Sequence, residues 1–346
     1  MTNVAIIGGS GYGAAELVRL LHIHPYAKLT AIISHSKQGT DFSTVYPHMN
    51  QIADQTMEQL DVKKLSETID LVFFATPSNV SKTIIPDFLA SGITCIDLSG
   101  DFRLHSPAVY QQWYQAEAAA EEYLHQAVYG LSEINAASVR SAKLIANPGC
   151  YPTAALLGLI PVTEKELIEP NSIIIDGKTG VSGAGRSLSQ HVHFAEMNEN
   201  VKAYKLGSHK HIPEIEQALQ EYIAADIQLT FTPHIVPMTR GIMVTCYAKL
   251  TENITTAQIE TIYHTFYQQH PFVRVRADGE VPTTKEVYGS NYCDIAIHVD
   301  ERTNRLTIIS VIDNLVKGAA GQAIQNMNIS NGWDQTTGLQ HAPIYP

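Results

Sequence analysis

The sequence predicts an α/β protein with a doubly wound parallel-sheet domain, followed by an α+β domain with a mainly antiparallel sheet. Before residue 150, short apolar strands alternate with helical patterns, which is typical of a parallel sheet with helices on both faces. After residue 150, predicted strands outnumber predicted helices. The length of 346 residues suits two domains of about 100–200 residues each. We therefore expect a first domain over residues 1–149, rejoined by a C-terminal helix at about 314–346, and a second domain over 150–313.

Each element of the first domain follows from an apolar pattern bounded by turn residues. The predicted strands are 4–7, 29–34, 71–75, 93–98 and 144–146, and the predicted helices are 14–22, 80–91 and 111–122. In the second domain, several strands alternate apolar and polar residues, as strands of a half-exposed sheet do. The predicted strands there are 172–176, 227–232, 243–250, 294–300 and 305–311, and the predicted helices are 154–160, 213–224 and 255–269. The helix predicted at 315–327 is the one that rejoins the first domain.

The charge balance and hydropathy exclude several classes of partner. The net charge is −11, from 34 acidic and 23 basic residues, whereas nucleic-acid binding calls for a basic surplus. No apolar run approaches the roughly 20 residues that span a bilayer. The N-terminus lacks the cationic region of a signal peptide. We therefore expect a cytoplasmic protein that binds a small molecule and neither nucleic acid nor membrane.

The glycine-rich segment from Gly8 to Ala14 follows a strand and opens a helix, which is the context of a Rossmann-type dinucleotide fingerprint. Gly8 allows the tight turn, Gly11 lets backbone N–H groups approach a pyrophosphate, and the helix N-terminus adds positive charge. A glycine turn without a ligand is the alternative. The residues that we expect at the cofactor are Gly8, Ser10, Gly11, Tyr12 and Gly13.

The end of the second strand indicates which dinucleotide is bound. An NAD site usually has an acidic residue there to bind the ribose hydroxyls. Here the segment reads Ser34-His35-Ser36-Lys37, which offers hydroxyls and a cation to a 2′-phosphate. The sequence therefore favours NADP(H) over NAD, with Ser34 and Ser36 as candidate contacts. A solvated loop is the alternative for His35 and Lys37.

One of the four cysteines, Cys150, lies in a setting typical of a nucleophile. No pair is spaced as a CxxC motif. Cys95 and Cys246 lie in predicted strands, where we expect buried thiols, and Cys293 also fits a strand. Cys150 instead follows Asn147-Pro148-Gly149 and precedes Pro152, which suits a first helical turn. A helix N-terminus favours the thiolate, and its N–H groups can hold an oxyanion. Asn147 is placed to orient a substrate; a buried cysteine at a structural turn is the alternative.

A thiolate nucleophile needs an acid/base partner, and His209 and His211 precede a predicted helix. In an extended segment, their spacing would point both side chains the same way. Zinc is a competing interpretation, but no third ligand lies at usable spacing, so we expect no metal site. Surface histidines are the other alternative, because the chain has 15 histidines and a second such pair at His191 and His193.

Taken together, the motifs resemble the N-acetyl-γ-glutamyl-phosphate reductases of arginine biosynthesis, whose broader relatives are the aspartate-semialdehyde dehydrogenases. The matching strings run along nearly the whole chain in family order. They are GGSGYGAAEL (8–17), LSGDFRL (98–104), NPGCYPTA (147–154), KTGVSGAGR (178–186), GSHKHIPEI (207–215), VPMTRGI (236–242), VYGSN (287–291) and NLVKGAAGQAIQNMN (314–328).

The resemblance implies NADPH-dependent reduction of N-acetyl-glutamyl 5-phosphate to the 5-semialdehyde and phosphate, through a thioacyl intermediate on Cys150. It implies His209 as the acid/base, with His211 as the second choice and a substrate contact. We assign Arg103 to the phosphoryl group and Arg240 to the substrate carboxylate, although a surface arginine is an equal alternative for each. The expected cofactor contacts in the second half of the chain are Ser182, Gly183, Ala184 and Asn314. The resemblance also implies that the second domain carries catalysis and dimerisation, in a homo-oligomeric dimer or tetramer.

Three rival functions remain open from the sequence. A sister enzyme would act on N-acetyl-aminoadipyl phosphate or aspartyl phosphate with the same chemistry. A non-catalytic NADP-binding sensor would have an unreactive Cys150. An NAD-linked dehydrogenase of 2-hydroxy acids would need no cysteine.

Overall fold

The computed structural model describes residues 1–277 and 279–346, which divide into two compact units. The first unit contains Met1–Gly149 and Ala319–Gln340, and the second contains Cys150–Gly318 and His341–Pro346. The sequence placed the whole of 314–346 with the first domain. Residues 314–318 and 341–346 belong instead to the second unit, because Asn314 and Ile344 form hydrogen bonds there.

The first unit is built on a parallel sheet. Its strands are β1 (Thr2–Ile7), β2 (Ala27–Ile33), β3 (Leu71–Phe74), β4 (Thr94–Asp97), β5 (Val128–Tyr129) and β6 (Leu144–Ala146). They are ordered β2-β1-β3-β4-β6-β5, and every neighbouring pair is parallel. The strands are largely apolar and buried, as expected when helices cover both faces of a sheet. The carboxyl ends of β1, β2 and β4 therefore share one edge, where ligands bind in such sheets.

Helices in the first half of the chain connect these strands. They are α1 (Tyr12–His22), α2 (Phe42–Val45), α3 (Val62–Ser66), α4 (Ser81–Ala90), α5 (Pro107–Tyr114), α6 (Glu121–Gln126) and α7 (Ser132–Val139). The predicted single helix over 111–122 is wrong. Ser106 caps an earlier helix that has Pro107 in its first turn, and Gln115 ends it in the left-handed conformation at φ 53°. Two short helices therefore replace one long helix.

The second unit is built on a mixed, mainly antiparallel sheet. Its strands are β7 (Ile174–Gly180), β8 (Lys202–Ala203), β9 (Thr230–Val236), β10 (Ile242–Lys249), β11 (Val273–Val275), β12 (Cys293–Asp300) and β13 (Arg305–Ile312). They are ordered β11-β12-β13-β10-β7-β9-β8. The pairs β11–β12 and β7–β9 are parallel, and the others are antiparallel. Strand β9 begins and ends later than the predicted 227–232 and includes Pro233, whose carbonyl oxygen accepts a hydrogen bond from the Tyr204 N–H at 3.1 Å.

The helices of the second unit are α8 (Cys150–Glu164), α9 (Phe194–Met197), α10 (His211–Gln220) and α11 (Thr256–Tyr267). Helix α8 is buried along residues 151–163 and packs against β10, β13, α10 and α11. A helix that is apolar all round is a central core helix. The residue that begins α8, Cys150, is therefore positioned by the most buried helix of this unit.

The predicted helix over 315–327 is divided into two parts. Residues Val316–Ala320 form a π-helical turn, and α12 (Gly321–Ser330) follows. Within the first unit, α12 inserts buried amides rather than apolar side chains alone. The Nε2 of Gln322 and the Nδ2 of Asn326 donate to the Gly130 carbonyl oxygen at 3.1 and 2.7 Å. Gln322 and Asn326 of the string at 314–328 therefore have a structural role in the first unit. In residues 1–277 and 279–346 we find no helix with the length and hydropathy needed to cross a membrane.

Candidate active site

The glycine loop between β1 and α1 forms a cradle that fits a pyrophosphate. Gly8 has φ +99°, and a β-carbon there would collide with the carbonyl oxygen of Ala75. The N–H groups of Gly8 and Gly9 donate to the Ile33 carbonyl oxygen at 3.0 and 2.9 Å, which fixes the turn. Helix α1 begins directly after Gly11, and the first N–H groups of a helix have no partner within it.

Other groups brace this loop and the adjoining end of β2. The Tyr46 hydroxyl donates to the Ser10 carbonyl oxygen at 2.9 Å. Ser34 is buried, and its hydroxyl accepts from the Lys37 N–H at 3.3 Å, so it shapes the turn. Ser36 and Lys37 are exposed. Of the two predicted serines, Ser36 is the one whose position suits contact with a 2′-phosphate.

The thiol of Cys150 differs from the other three in its surroundings. Cys95 and Cys246 are buried, as expected, and Cys293 is buried as well, whereas Cys150 is partly exposed. Burial raises the pKa of the Cys246 thiol to about 12, so that thiol stays protonated. Cys150 is the first residue of α8, where N–H groups and the helix dipole favour the thiolate.

Gly318 lies against the nucleophile candidate within the second unit. A β-carbon at position 318 would lie 2.8 Å from Cys150 Cβ and 3.3 Å from its Cα. Gly318 belongs to the π-helical turn, and its N–H donates to the Asp313 carbonyl oxygen at 3.0 Å. Such turns occur often at functional sites. This close approach explains why the first glycine of the string at 314–328, Gly318, has no side chain.

His209 is buried among aromatic rings, with 8% of its surface exposed. Its ring centroid lies 4.6 Å from His211, 5.2 Å from Phe231, 5.5 Å from Tyr204 and 5.9 Å from Tyr151. Burial, and to a smaller extent the cations Lys205 and Lys210, lower the pKa of His209 to about 4. The imidazole of the free protein is therefore neutral at physiological pH.

The tautomer of His209 follows from one hydrogen bond. The His211 backbone N–H donates to His209 Nδ1 at 3.2 Å. An acceptor at Nδ1 places the proton of the neutral ring on Nε2. The segment is not extended, as the sequence suggested: Lys210 has helical angles, and His211 already begins α10. The two rings are close because they share a helical turn.

Tyr151 and Tyr204 connect the cysteine with this histidine. Burial raises the pKa of Tyr204 to about 12. A hydrogen bond with Tyr151 lowers this pKa, and the charge of Cys150 raises it. Tyr151, which directly follows Cys150 in the chain, contacts the His209 ring edge-on, with 5.9 Å between the ring centroids. The Tyr151 hydroxyl donates to the His234 carbonyl oxygen at 3.1 Å, which holds that ring against β9. Sequence reasoning missed both tyrosines.

A second polar cluster follows β7 and β13. The Nδ2 of Asn314 donates to the Ser182 hydroxyl at 3.0 Å, and its Oδ1 accepts from the Gly241 N–H at 2.7 Å. Gly183 and Ala184 follow Ser182 in a short 3₁₀ turn and are exposed. The structure thus brings the predicted residues Ser182 and Asn314 together.

Arg240 is held by a buried carboxylate. Its Nε lies 3.0 Å from Asp313 Oδ2, and its Nη2 donates to Asp313 Oδ1 at 3.1 Å. The Asp313 side chain is fully buried, whereas that of Arg240 is 16% exposed. The guanidinium also lies over the Tyr288 ring, 5.5 Å from its centroid. The cation is therefore oriented and still reaches the surface.

Arg103 and Asn147 have structural partners within the first unit. Arg103 is buried; its Nε donates to the Asn147 carbonyl oxygen and its Nη2 to that of Leu98, both at 2.8 Å. The Asn147 Nδ2 donates to the Ala319 carbonyl oxygen at 3.1 Å, and its Oδ1 accepts from Asn326 at 3.1 Å. Both residues brace the turn that leads to Cys150. The position of Arg103 just past the end of a strand gave no sign of this role.

The comparisons with known proteins agree with this architecture. Residues 3–142 match the family model described as semialdehyde dehydrogenase, NAD binding domain, and residues 150–314 match that described as semialdehyde dehydrogenase, dimerisation domain. The aspartate semialdehyde dehydrogenase II of Vibrio cholerae, solved in complex with ASA, superposes with a TM-score of 0.71 at 16% identity, over 95% of this chain and 98% of that chain. The fold and the site define an oxidoreductase of the semialdehyde dehydrogenase class.

Curated relatives narrow this class. The N-acetyl-gamma-glutamyl-phosphate reductase of Geobacillus sp. (strain WCH70) is 53% identical over 99% of this chain and all of that protein. The enzyme of the same name from Bacillus subtilis (strain 168) is 52% identical over the same shares. The chain belongs to the N-acetyl-gamma-glutamyl-phosphate reductase family. The resemblance and the fold class predicted from the sequence are confirmed.

Proposed function

We propose that this protein reduces N-acetyl-glutamyl 5-phosphate to N-acetyl-glutamate 5-semialdehyde and phosphate with NADPH, in arginine biosynthesis. The observation that carries the proposal is the partly exposed Cys150 at the start of α8, whose chain neighbour Tyr151 contacts the His209 ring edge-on, with 5.9 Å between the ring centroids. The names of relatives at 52–53% identity over almost the full chain support the same substrate.

The residues of the first unit fit a dinucleotide. The cradle at Gly8 admits no β-carbon, and the N-terminus of α1 suits a pyrophosphate. The absence of an acidic residue in Ser34-His35-Ser36-Lys37 favours NADP(H), with Ser36 and Lys37 exposed towards a 2′-phosphate. Bound NADPH supplies the hydride that converts the thioester into the aldehyde.

The first chemical step is the attack of the Cys150 thiolate on the acyl phosphate. The sulfur forms a bond to the carbonyl carbon, the bond from that carbon to the phosphate oxygen breaks, and phosphate leaves with the electron pair. The product is a thioester on Cys150. The N–H groups at the start of α8 suit the oxyanion that develops on the carbonyl oxygen.

We assign to His209 the donation of a hydrogen bond from Nε2–H. The neutral Nε2–H form stabilises negative charge on sulfur or oxygen without placing a positive charge on a buried imidazole. In the second step the carbon–sulfur bond breaks and the thiolate is regenerated, and the same donor stabilises the departing sulfur. His211, whose backbone N–H fixes the tautomer, is the second candidate for a substrate contact.

Of the two predicted anion contacts, the geometry favours Arg240. Its guanidinium is oriented by Asp313 and partly exposed, and arginine binds carboxylates through two parallel hydrogen bonds. Arg103 uses two of its donors on backbone carbonyls, so its support of the turn at Asn147 outweighs phosphoryl binding. Ser182, Gly183, Ala184 and Asn314 remain the cofactor contacts that we propose for the second unit.

We further propose a cytoplasmic homo-oligomer, a dimer or tetramer. The matched model for residues 150–314 is described as a dimerisation domain, which supports self-association through the second unit. Sedimentation velocity of the purified protein over a range of concentrations gives the number of subunits. A monomer at every concentration would exclude this proposal.

A coenzyme and substrate matrix tests the function. The purified protein is assayed in the reverse direction with orthophosphate, NADP+ or NAD+, and the semialdehydes of N-acetyl-glutamate, N-acetyl-aminoadipate and aspartate. We expect the highest kcat/KM with N-acetyl-glutamate semialdehyde and NADP+. A preference for another semialdehyde would assign a sister enzyme. Turnover without phosphate would contradict the acyl-phosphate chemistry.

A further inference from the structure

Asp313 is a buried carboxylate at the end of β13 that gathers donors from three separate segments. Its Oδ2 accepts from the Gly289 N–H at 2.7 Å, and its Oδ1 accepts from the Leu315 and Val316 N–H groups at 2.9 and 3.1 Å. Arg240 supplies the charged pair described above. These backbone donors and the Arg240 guanidinium together offset the cost of burying the carboxylate.

The first consequence is a fixed orientation of Arg240. The residue lies in the turn before β10, 73 positions away from Asp313. Two guanidinium nitrogens meet the two carboxylate oxygens, and the ring of Tyr288 lies beside the guanidinium. A planar guanidinium that is bound through two of its nitrogens has little rotational freedom. The partly exposed remainder of the guanidinium is therefore presented in one direction.

The second consequence concerns the turn against the nucleophile. The Asp313 carboxylate caps the N–H groups that open the π-helical turn, and its backbone carbonyl oxygen accepts from the Gly318 N–H at 3.0 Å. Gly318 is the residue that touches Cys150. Asp313 thus connects Arg240 with the turn whose Gly318 packs on Cys150.

We propose that Asp313 is a positioning residue that sets both the substrate-binding orientation of Arg240 and the placement of the Gly318 turn against Cys150. The inference rests on the proposed function, because it takes the anion bound by Arg240 to be the substrate carboxylate. We assign Asp313 no contact of its own with substrate or cofactor, because its side chain is fully buried. It acts through Arg240 and through the turn.

The test is a double-mutant cycle of Asp313→Asn and Arg240→Gln in the full-length protein, with kcat and KM measured for N-acetyl-glutamate semialdehyde, phosphate and NADP+. Misplacing a binding group by about 1 Å can cost up to roughly a hundredfold. We expect Asp313→Asn to raise KM for the semialdehyde at least about tenfold, well beyond its effect on KM for NADP+. The double variant should be no worse than Arg240→Gln by more than about twofold, because residues that act through each other are not additive.

The matched control is Asp294→Asn. Asp294 is also fully buried and also paired with arginines, Arg274 at 2.6 Å and Arg276 at 2.6 Å. It lies on β12, and within residues 1–277 and 279–346 we find no hydrogen bond from its carboxylate to Arg240, Cys150 or Gly318. Its kinetic constants should stay within about twofold of the wild type even if its melting temperature falls. This separates the loss of a buried ion pair from the loss of positioning.

If Asp313→Asn does not fold, Asp313→Glu takes its place. It keeps the buried charge but displaces it by one methylene, and the same rise in KM is expected. A semialdehyde KM within about twofold of the wild type in a folded Asp313 variant would overturn the inference, as would multiplicative effects in the cycle. An inactive wild-type protein would instead overturn the proposed function and this inference with it.

Discussion

Gly318 packs directly on Cys150, so closely that a methyl group at position 318 would lie 2.8 Å from Cys150 Cβ. The predicted nucleophile at the start of α8 is thus supported on one side by the backbone of the π-helical turn. This contact explains why a residue without a side chain occurs in the last motif of the chain. It also makes the reactivity of Cys150 sensitive to a residue with no chemical group of its own.

The substitution Gly318→Ala tests this contact. The added methyl must displace Cys150 or the turn, because well-packed atoms tolerate little overlap. We expect kcat to fall at least about tenfold and iodoacetamide labelling of Cys150 to change in rate, while NADPH binding is kept. Fluorescence titration of NADPH and a thermal melt serve as controls. Unchanged turnover in a folded Gly318→Ala protein would show that the contact does not constrain the cysteine.

A pair of glycine substitutions tests the cofactor cradle. Gly8 and Gly92 both have positive φ, at +99° and +80°, but a β-carbon meets the Ala75 backbone at Gly8 and nothing within 4 Å at Gly92. Backbone strain alone costs about 1–2 kcal/mol in each. We therefore expect Gly8→Ala to weaken NADPH binding at least about tenfold and Gly92→Ala to leave it within about twofold. Equal effects on the Kd would mean that position 8 does not shape the site.

The protonation of His209 can be followed by NMR, with His209→Asn used to assign its ring resonance. Burial lowers the pKa to about 4, so the resonance should stay constant from pH 8 to about 5.5 and move only as the pH approaches 4. The neutral ring therefore contributes stability above its ordinary pKa of 6.5, and this contribution is lost as the pH falls towards 4. A titration centred near 6.5 would contradict the neutral-donor role.

Local sequence signals predicted the parts of the site that depend on neighbouring residues. The glycine loop was recognisable because Gly8 and Gly11 stand between a strand and a helix. The position of Cys150 was recognisable because Pro152 indicates a helix start. The matching strings added the family, which the relatives confirm.

Other parts depend on contacts that the sequence does not express locally. The ion pair of Arg240 with Asp313 joins residues 73 positions apart, and the hydroxyl of Tyr151 reaches a carbonyl 83 positions away. His209 and His211 were expected in an extended segment, yet α10 begins at His211. Helix starts and long-range polar pairs are decided by tertiary packing, which one sequence expresses only weakly.

The proposed mechanism depends on a covalent intermediate on Cys150, and mass spectrometry of the intact protein and of its digest tests for it most directly. The protein is mixed with N-acetyl-glutamyl 5-phosphate without NADPH, quenched in acid and digested with protease. We expect a mass increase of one N-acetyl-glutamyl group, located on the peptide that contains Cys150 and removed by adding NADPH before the quench. Cys150→Ala should show neither the adduct nor turnover. Full turnover by Cys150→Ala, with no adduct in the wild type, would contradict the mechanism.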